Sequence, residues 1–271
     1  MHGVSGTSPK LEALREQIQK IEGLPRTSED ILPFGLADID EALPWGGLPL
    51  ACLHHVVGED DALGACGFAP SAVTFVAALT ARLKARRKEC GTVLWCLPRY
   101  KAADTLYGPA LNTLGLSEDA LVLARAKDET EALWAMEEGL CCPDIDAVIG
   151  SLASPLSLAA ERRLQLAAER GGTTGFLLQP GLAAASASAA VTRWRVGAAP
   201  SAPPLWPGLG QTRWTLTLDR CRQGTPHSWT VEWCDETCAF RLAAPLCDRS
   251  LDQFPCQASA HERTSALRAV A

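Results

Sequence analysis

The sequence predicts an α/β protein: a mostly parallel sheet flanked by helices, with a C-terminal antiparallel extension and an N-terminal helical arm. Three observations predict it. Apolar runs of strand length alternate with helix-period segments from residue 50 to 180, the pattern of parallel strands joined by helical crossovers. Beyond residue 180 apolar and polar residues alternate at period two, as in half-exposed antiparallel strands. A glycine-bearing turn, "VVGEDDALGACG", follows the first long apolar run. A nucleotide-binding fold carries its phosphate loop at that place.

The elements follow in order. Residues 9–22, "PKLEALREQIQKIE", form a helix with Leu11, Leu14, Ile18 and Ile21 on one stripe and charge on the other faces. Such a helix either packs on its own core or docks as an arm on a partner subunit, and both readings stand. The two prolines of "GLPRTSEDILPFG" separate it from the core. "LADIDEALPWGGLPLACLHHVVG" reads as a short helix, a Gly-Gly turn and a strand ending at Val57. Pro70 opens a helix over 70–88. "GTVLWCLP" is a buried strand, residues 103–114 are helical, and "ALVLARA" is another strand. Asp128 caps the helix "DETEALWAMEEGLCC", with Glu131 three residues on in a capping-box pattern. "IDAVIGSL" is a strand, "SLAAERRLQLAAERGG" a helix closed by glycine, and "TTGFLLQP" a strand. "AAVTRWRVGAA", "TRWTLTLDRCRQG" and "HSWTVEWCD" supply the antiparallel extension. The chain thus divides into an N-terminal helix and linker (1–29), a core domain (30–243) and a loose tail (244–271) without strong periodicity.

Composition bounds the function. Of the 271 residues 47% are hydrophobic, enough for a sizeable core, and the net charge of −6 argues against a broadly basic nucleic-acid binder. The start "MHGVSGTSPKLEAL" lacks a basic end followed by an apolar run, and no apolar stretch is long enough to span a membrane. A cytoplasmic chain is expected. The eleven cysteines are scattered, odd in number and without a CxxC pair, which points to reduced thiols rather than disulfides. The five histidines lack ligand spacing, so no metal site is expected.

Several stretches carry a family resemblance. "FGLADIDEALPWGGLPLACLHHVVG" resembles the approach to the phosphate loop of a RecA core. "YGPALNTLGL", "DETEALWAMEEGL" and "IDAVIGSLASPL" follow in matching order. "LWCLPRY", "ALWAMEEGL", "RLQLAAERGGTTGFLL", "TRWRV" and "RWTLTLDRCRQGTPHSWTVEW" resemble one subgroup in particular, the ImuA proteins, RecA- and SulA-related accessory factors of bacterial damage-induced mutagenesis. The resemblance covers roughly residues 30–240. It implies a RecA-like core and a partner role in SOS-induced DNA repair and translesion synthesis. The implied partners are an ImuB-type, Y-family-polymerase-like protein and, through the complex, an error-prone replicative-type polymerase. Contacts with RecA and with itself are plausible by fold, and the assembled protein would be nucleoid-associated. Two other readings stay open: a SulA-like cell-division inhibitor that binds a tubulin-like GTPase, and a P-loop ATPase with a non-standard loop.

The residues argue against phosphoryl chemistry. A working loop reads GxxxxGK[ST]: backbone N–H groups cradle the phosphates, lysine reaches the outer ones and the hydroxyl holds Mg²⁺. Here Gly58 opens the turn, Gly64 comes one position late, and Ala65-Cys66 stand where Lys-Thr belongs. Glu59, Asp60 and Asp61 fill the interior. Each like-charge pair at ~4 Å in a partly screened site costs a few kcal/mol, against ~8 kcal/mol for micromolar binding. The metal-positioning acid expected at the end of "IDAVIGSL" is replaced by Gly150 and Ser151. The water-activating carboxylate expected after "VLWC" is replaced by Leu97, Pro98, Arg99 and Tyr100. Phosphoryl transfer depends on positioning and charge neutralisation, so neither catalytic residues nor a bound nucleotide is expected.

Two surfaces are candidate partner or DNA contacts beside the arm. Residues 81–101 hold seven basic residues and one acid, including Arg82, Arg86, Arg87 and Lys88 at a helix end. These cations either complement the helix dipole or form a docking patch. Arg193, Trp194 and Arg195, with Trp214, Arg220, Arg222 and Trp229 on neighbouring strands, combine the chemistry of interface anchors and of single-strand stacking platforms. The same pattern also fits arginines packed over half-buried indoles. Direct DNA contact stays open and ranks below protein contact.

Overall fold

The computed structural model describes residues 28–59, 68–86, 91–99, 106–181, 188–202 and 210–243. The arm residues Leu11, Leu14, Ile18 and Ile21, the tail, the loop residues Asp60, Asp61 and Gly64, and the basic residues Arg87 and Lys88 lie outside the described residues.

The described strands are β1 (Ile31–Leu32), β2 (Leu48–Pro49), β3 (Leu53–Gly58), β4 (Thr92–Pro98), β5 (Leu121–Ala126), β6 (Ile145–Ser151), β7 (Thr174–Gln179), β8 (Thr192–Ala198), β9 (Arg213–Cys221), β10 (His227–Cys234) and β11 (Ala239–Leu242). The helices are α1 (Ala37–Asp40), α2 (Pro70–Arg86), α3 (Gly108–Thr113), α4 (Glu129–Leu140) and α5 (Leu158–Gly171). Nine strands form one sheet in the order β11-β10-β9-β8-β3-β7-β6-β4-β5. β8, β3, β7, β6, β4 and β5 are mutually parallel, and β8 through β11 are antiparallel. The sheet is therefore large and mostly parallel, with helices on both faces.

Local chemistry sets the helix ends. Asp128 Oδ1 accepts from Glu131 N–H at 2.9 Å, and the Glu131 carboxylate accepts from Lys127 N–H at 2.6 Å. The predicted reciprocal cap thus forms with its return bond shifted one residue outward. Ser157 Oγ caps α5, and Gly172 closes it in the left-handed region at φ 70°.

Strand alternation sorts side chains between two cores. Val56, Val93, Trp95, Ile149, Phe176, Trp194 and Leu216 face α2 and α3. Leu53, Cys96, Val148 and Leu177 face α4 and α5. Beside α2 the extension builds an aromatic cluster. Phe34 lies 5.4 Å from Trp194 between ring centroids, Phe75 lies 6.1 Å from Trp214, and Phe240 lies 5.0 Å from Trp233.

Three sequence expectations are corrected. The helix expected over 103–114 is described only as the short α3. The strand "TRWRV", taken as part of an antiparallel extension, pairs in parallel with β3 and antiparallel with β9, so β8 joins the two halves of the sheet. The fourth antiparallel strand, β11, is only four residues long, too short for its alternation to register.

The aromatic cluster generates the first prediction. Trp194 has no exposed surface, whereas Trp134 on α4 is 60% exposed. Urea unfolding should show Trp194→Ala to cost about 3–5 kcal/mol, while Trp134→Ala stays within about 0.5 kcal/mol of the wild type.

Candidate functional site

The site expected of a nucleotide-binding fold lies beyond the carboxyl end of β3, the central strand of the nine-stranded sheet. Gly58 is buried there against the start of α2, and a Cβ at Gly58 would overlap that of Ala69. Glu59 N–H donates to Val196 O at 2.8 Å, which extends the β3–β8 ladder by one bond. The Glu59 carboxylate lies 3.6 Å from the Arg195 guanidinium. Both groups that a phosphate would meet first are therefore directed at β8. The N-terminus of α2 is equally committed. Pro70 has no N–H, and Ala72 and Val73 N–H both donate to Ala69 O. Ser71 Oγ donates to Val196 O at 3.0 Å.

The metal-acid position is filled as well. Gly150 lies against α4, where a Cβ would overlap the Met136 sulfur. Ser151 Oγ, on the opposite face, accepts from Trp95 Nε1–H at 2.9 Å. A carboxylate at position 150 would enter the α4 core rather than a solvent crevice. At the end of β4, Arg99 N–H donates to Ala126 O at 2.7 Å. Among the described residues no group of three or more His, Cys, Asp or Glu could hold a metal ion.

The basic helix end turns inward. Arg82 Nη2–H donates to Pro33 O at 2.8 Å, and its guanidinium stacks 5.6 Å from the Phe240 ring centroid. Arg86 donates to Ile31 O. These two arginines fasten α2 to the segment that leads into the core, and Arg86 stays exposed.

The tryptophan–arginine group separates into core and surface. Trp194 and Trp214 are buried. Trp194 Nε1–H donates to Thr192 Oγ1 at 2.9 Å and Trp214 Nε1–H to Thr74 Oγ1 at 3.2 Å. With faces packed and N–H groups satisfied, neither can anchor a partner. Arg193 is also buried, and its Nε–H donates to His55 Nδ1 at 3.1 Å. These three placements correct their assignment as contacts. Arg195 remains half-exposed but is engaged by Asp219 at 2.7 Å as well as by Glu59. Arg220 donates to Ser188 O, and Arg222 N–H donates to Val191 O at 3.0 Å. Trp229 is half-buried and stacks on His227 with ring centroids 5.6 Å apart. Of the tryptophans named as contacts, it alone keeps surface.

Several further residues are engaged inside the fold. Buried Arg213 pairs with Glu232 at 2.6 Å. Buried Glu161 on α5 accepts from Ser188 Oγ at 2.5 Å and Ala189 N–H at 2.8 Å, which ties the start of β8 to the helix. The dipeptide His54-His55 is wholly internal. His54 Nε2–H donates to Pro49 O at 2.8 Å, so Thr192 Oγ–H donates to Nδ1 at 2.7 Å. Burial lowers His54 to about 4. Burial and the Arg193 charge lower His55 to about 3. All seven described cysteines are free, and burial pushes Cys96 up to about 12 and Cys221 to about 11. Such thiols are inert at neutral pH.

Comparison with known proteins places this arrangement. Protein ImuA of Caulobacter vibrioides, recorded for two strains, is 37% identical over 249 residues, covering 85% of this chain and 96% of the relative. The solved structure of SulA from Pseudomonas aeruginosa is 24% identical and covers 49% of this chain and 100% of SulA. Its TM-score of 0.37 is too low to establish a common fold. No protein-family model matches the chain.

The buried histidines predict the pH response. Both are neutral in the folded state and have pKa values below the unfolded value of about 6.5. Their contribution is complete above about pH 6.5 and is lost as pH falls toward 4. Each should remove up to about 1.4 kcal/mol of unfolding free energy per pH unit in that window. Urea titrations between pH 7 and 5 should show the slope, and His54→Gln/His55→Gln should flatten it.

Proposed function

The chain belongs to the ImuA family, and from that premise we propose that it is a RecA-like adaptor of SOS-induced translesion mutagenesis that performs no phosphoryl chemistry. It works beside an ImuB-type, Y-family-polymerase-like partner and, through that complex, with an error-prone polymerase. No nucleotide is a cofactor in this reading.

The observation that supports it is how the described ends of the junction, at Glu59 and at the start of α2, are engaged within the chain. A phosphate loop works because unpaired N–H groups converge on an open cradle. Here the Glu59 N–H is bonded to β8, its carboxylate faces Arg195, and Pro70, Ala72 and Val73 offer no converging donors. Position 150, where the family resemblance places a metal-binding acid, is packed on Met136. Arg195, in the triplet that resembles a nucleic-acid contact, is balanced by Asp219 and Glu59, and a protein partner is the reading adopted. Among the described residues no helix is long and apolar enough to cross a membrane.

Two measurements test the reading. Calorimetric titration with Mg²⁺-ATP should show no micromolar binding; Mg²⁺-dependent micromolar affinity would overturn the no-nucleotide part. A strain lacking the gene should lose damage-induced mutagenesis and regain it from the wild-type gene. Undiminished mutagenesis in the deletion strain would overturn the role.

A further inference from the structure

Among the described residues the sheet ends on one side at β5, which pairs there only with β4. A strand paired on one side turns alternate N–H and C=O groups outward, a template for another strand. The six residues of β5, "LVLARA", contain a single charge. Val122 is 51% exposed and Leu123 38%. Adjacent strand residues face opposite sides, so apolar surface wraps around this edge. The other edge is blunter: β11 has four residues and exposes Arg241 on its outer face.

Charge decides what fits. Exposed Glu118 and Asp119 stand just before β5, and exposed Arg125 and Lys127 stand at its far end. Neither Asp119 nor Arg125 forms an ion pair with a described residue. The strand is thus acidic at its start, apolar in the middle and basic at its end. A parallel copy would place acid beside acid. An antiparallel copy places acid beside base at both ends and apolar residues together between them. With a two-fold axis at Val122, Leu121 of one copy lies opposite Leu123 of the other, and the turn that carries Asp119 comes beside the end of the other strand, at Arg125. Pairs of both kinds stabilise antiparallel strands.

We propose that the chain forms a two-fold dimer through antiparallel pairing of β5 with β5 of a second copy, continuing the sheet across both. Such an interface is isologous and closes on itself. The proposal does not depend on the role in mutagenesis.

Sedimentation equilibrium of the full chain tests it. The wild type should be a dimer. Val122→Lys should be monomeric while keeping the wild-type circular dichroism. Asp119→Arg alone and Arg125→Asp alone should each raise the dimer dissociation constant roughly tenfold, because each creates two like-charge pairs. The double variant Asp119→Arg/Arg125→Asp should recover the wild-type constant, since it restores both pairs with their signs exchanged. Removal of residues 1–24 should leave the dimer intact. A monomeric wild type, a dimer indifferent to Val122→Lys and to both single swaps, a double variant no better than the single ones, or loss of the dimer on truncation would each overturn the proposal.

Discussion

The burial of Trp194 between α2 and the sheet is the constraint on which most of the arrangement depends. Its ring meets Phe34, Phe75 and Trp229, and its N–H begins a chain through Thr192 and His54 to the Pro49 carbonyl. That chain spans β8, β3 and β2, so one indole fixes α2 against three strands. Burying so large a ring favours close approach of the helix, and the approach determines the rest. Arg82 and Arg86 reach the Pro33 and Ile31 carbonyls. At the other end Ala69 closes on Gly58.

The charges around the junction follow the same logic. An acid in a phosphate loop is costly when phosphate is present, but Glu59 has a partner within its own chain. Arg195 sits between Glu59 and Asp219, so a residue that resembles a nucleic-acid contact in sequence is balanced by two carboxylates. Arg213 is balanced by Glu232 across the β9–β10 pair. The outer face of the extension therefore carries many charges and little net field. Half-exposed pairs such as Arg195–Asp219 contribute modestly to stability. Their main consequence is to remove free positive charge where DNA would need it.

Much of this was legible in the sequence. The alternation of elements, the Asp128 cap, the glycine that closes α5 and the period-two strands each express one local rule. What was not legible depends on which face of a strand another element covers. "RWR" at 193–195 reads as a surface triplet, yet β8 puts Trp194 under α2 and Arg193 against buried His55. Period two fixes that neighbours point apart; it does not say whether either side meets water. Gly150 is a similar case. Its identity reveals a missing acid, but only the Met136 contact shows that the position now belongs to a hydrophobic core. β11 escaped notice because four residues carry too little pattern.

The two edges of the sheet differ in length and in where their charges lie. Unpaired edges invite association, and proteins blunt them with short strands, charge or a covering element. The β11 edge is blunted by length and by Arg241. The β5 edge is longer and apolar, and its charges sit at the two ends rather than along its middle. Charge spread along the strand would repel any neighbour, whereas charge at opposite ends repels only a parallel one. A negative-to-positive polarity with an apolar centre is what a strand needs in order to accept its own antiparallel copy and reject other registers. A one-residue slip would also carry Leu121 and Leu123 to the wrong face of the second strand. The edge therefore reads as a specified interface rather than an unprotected one.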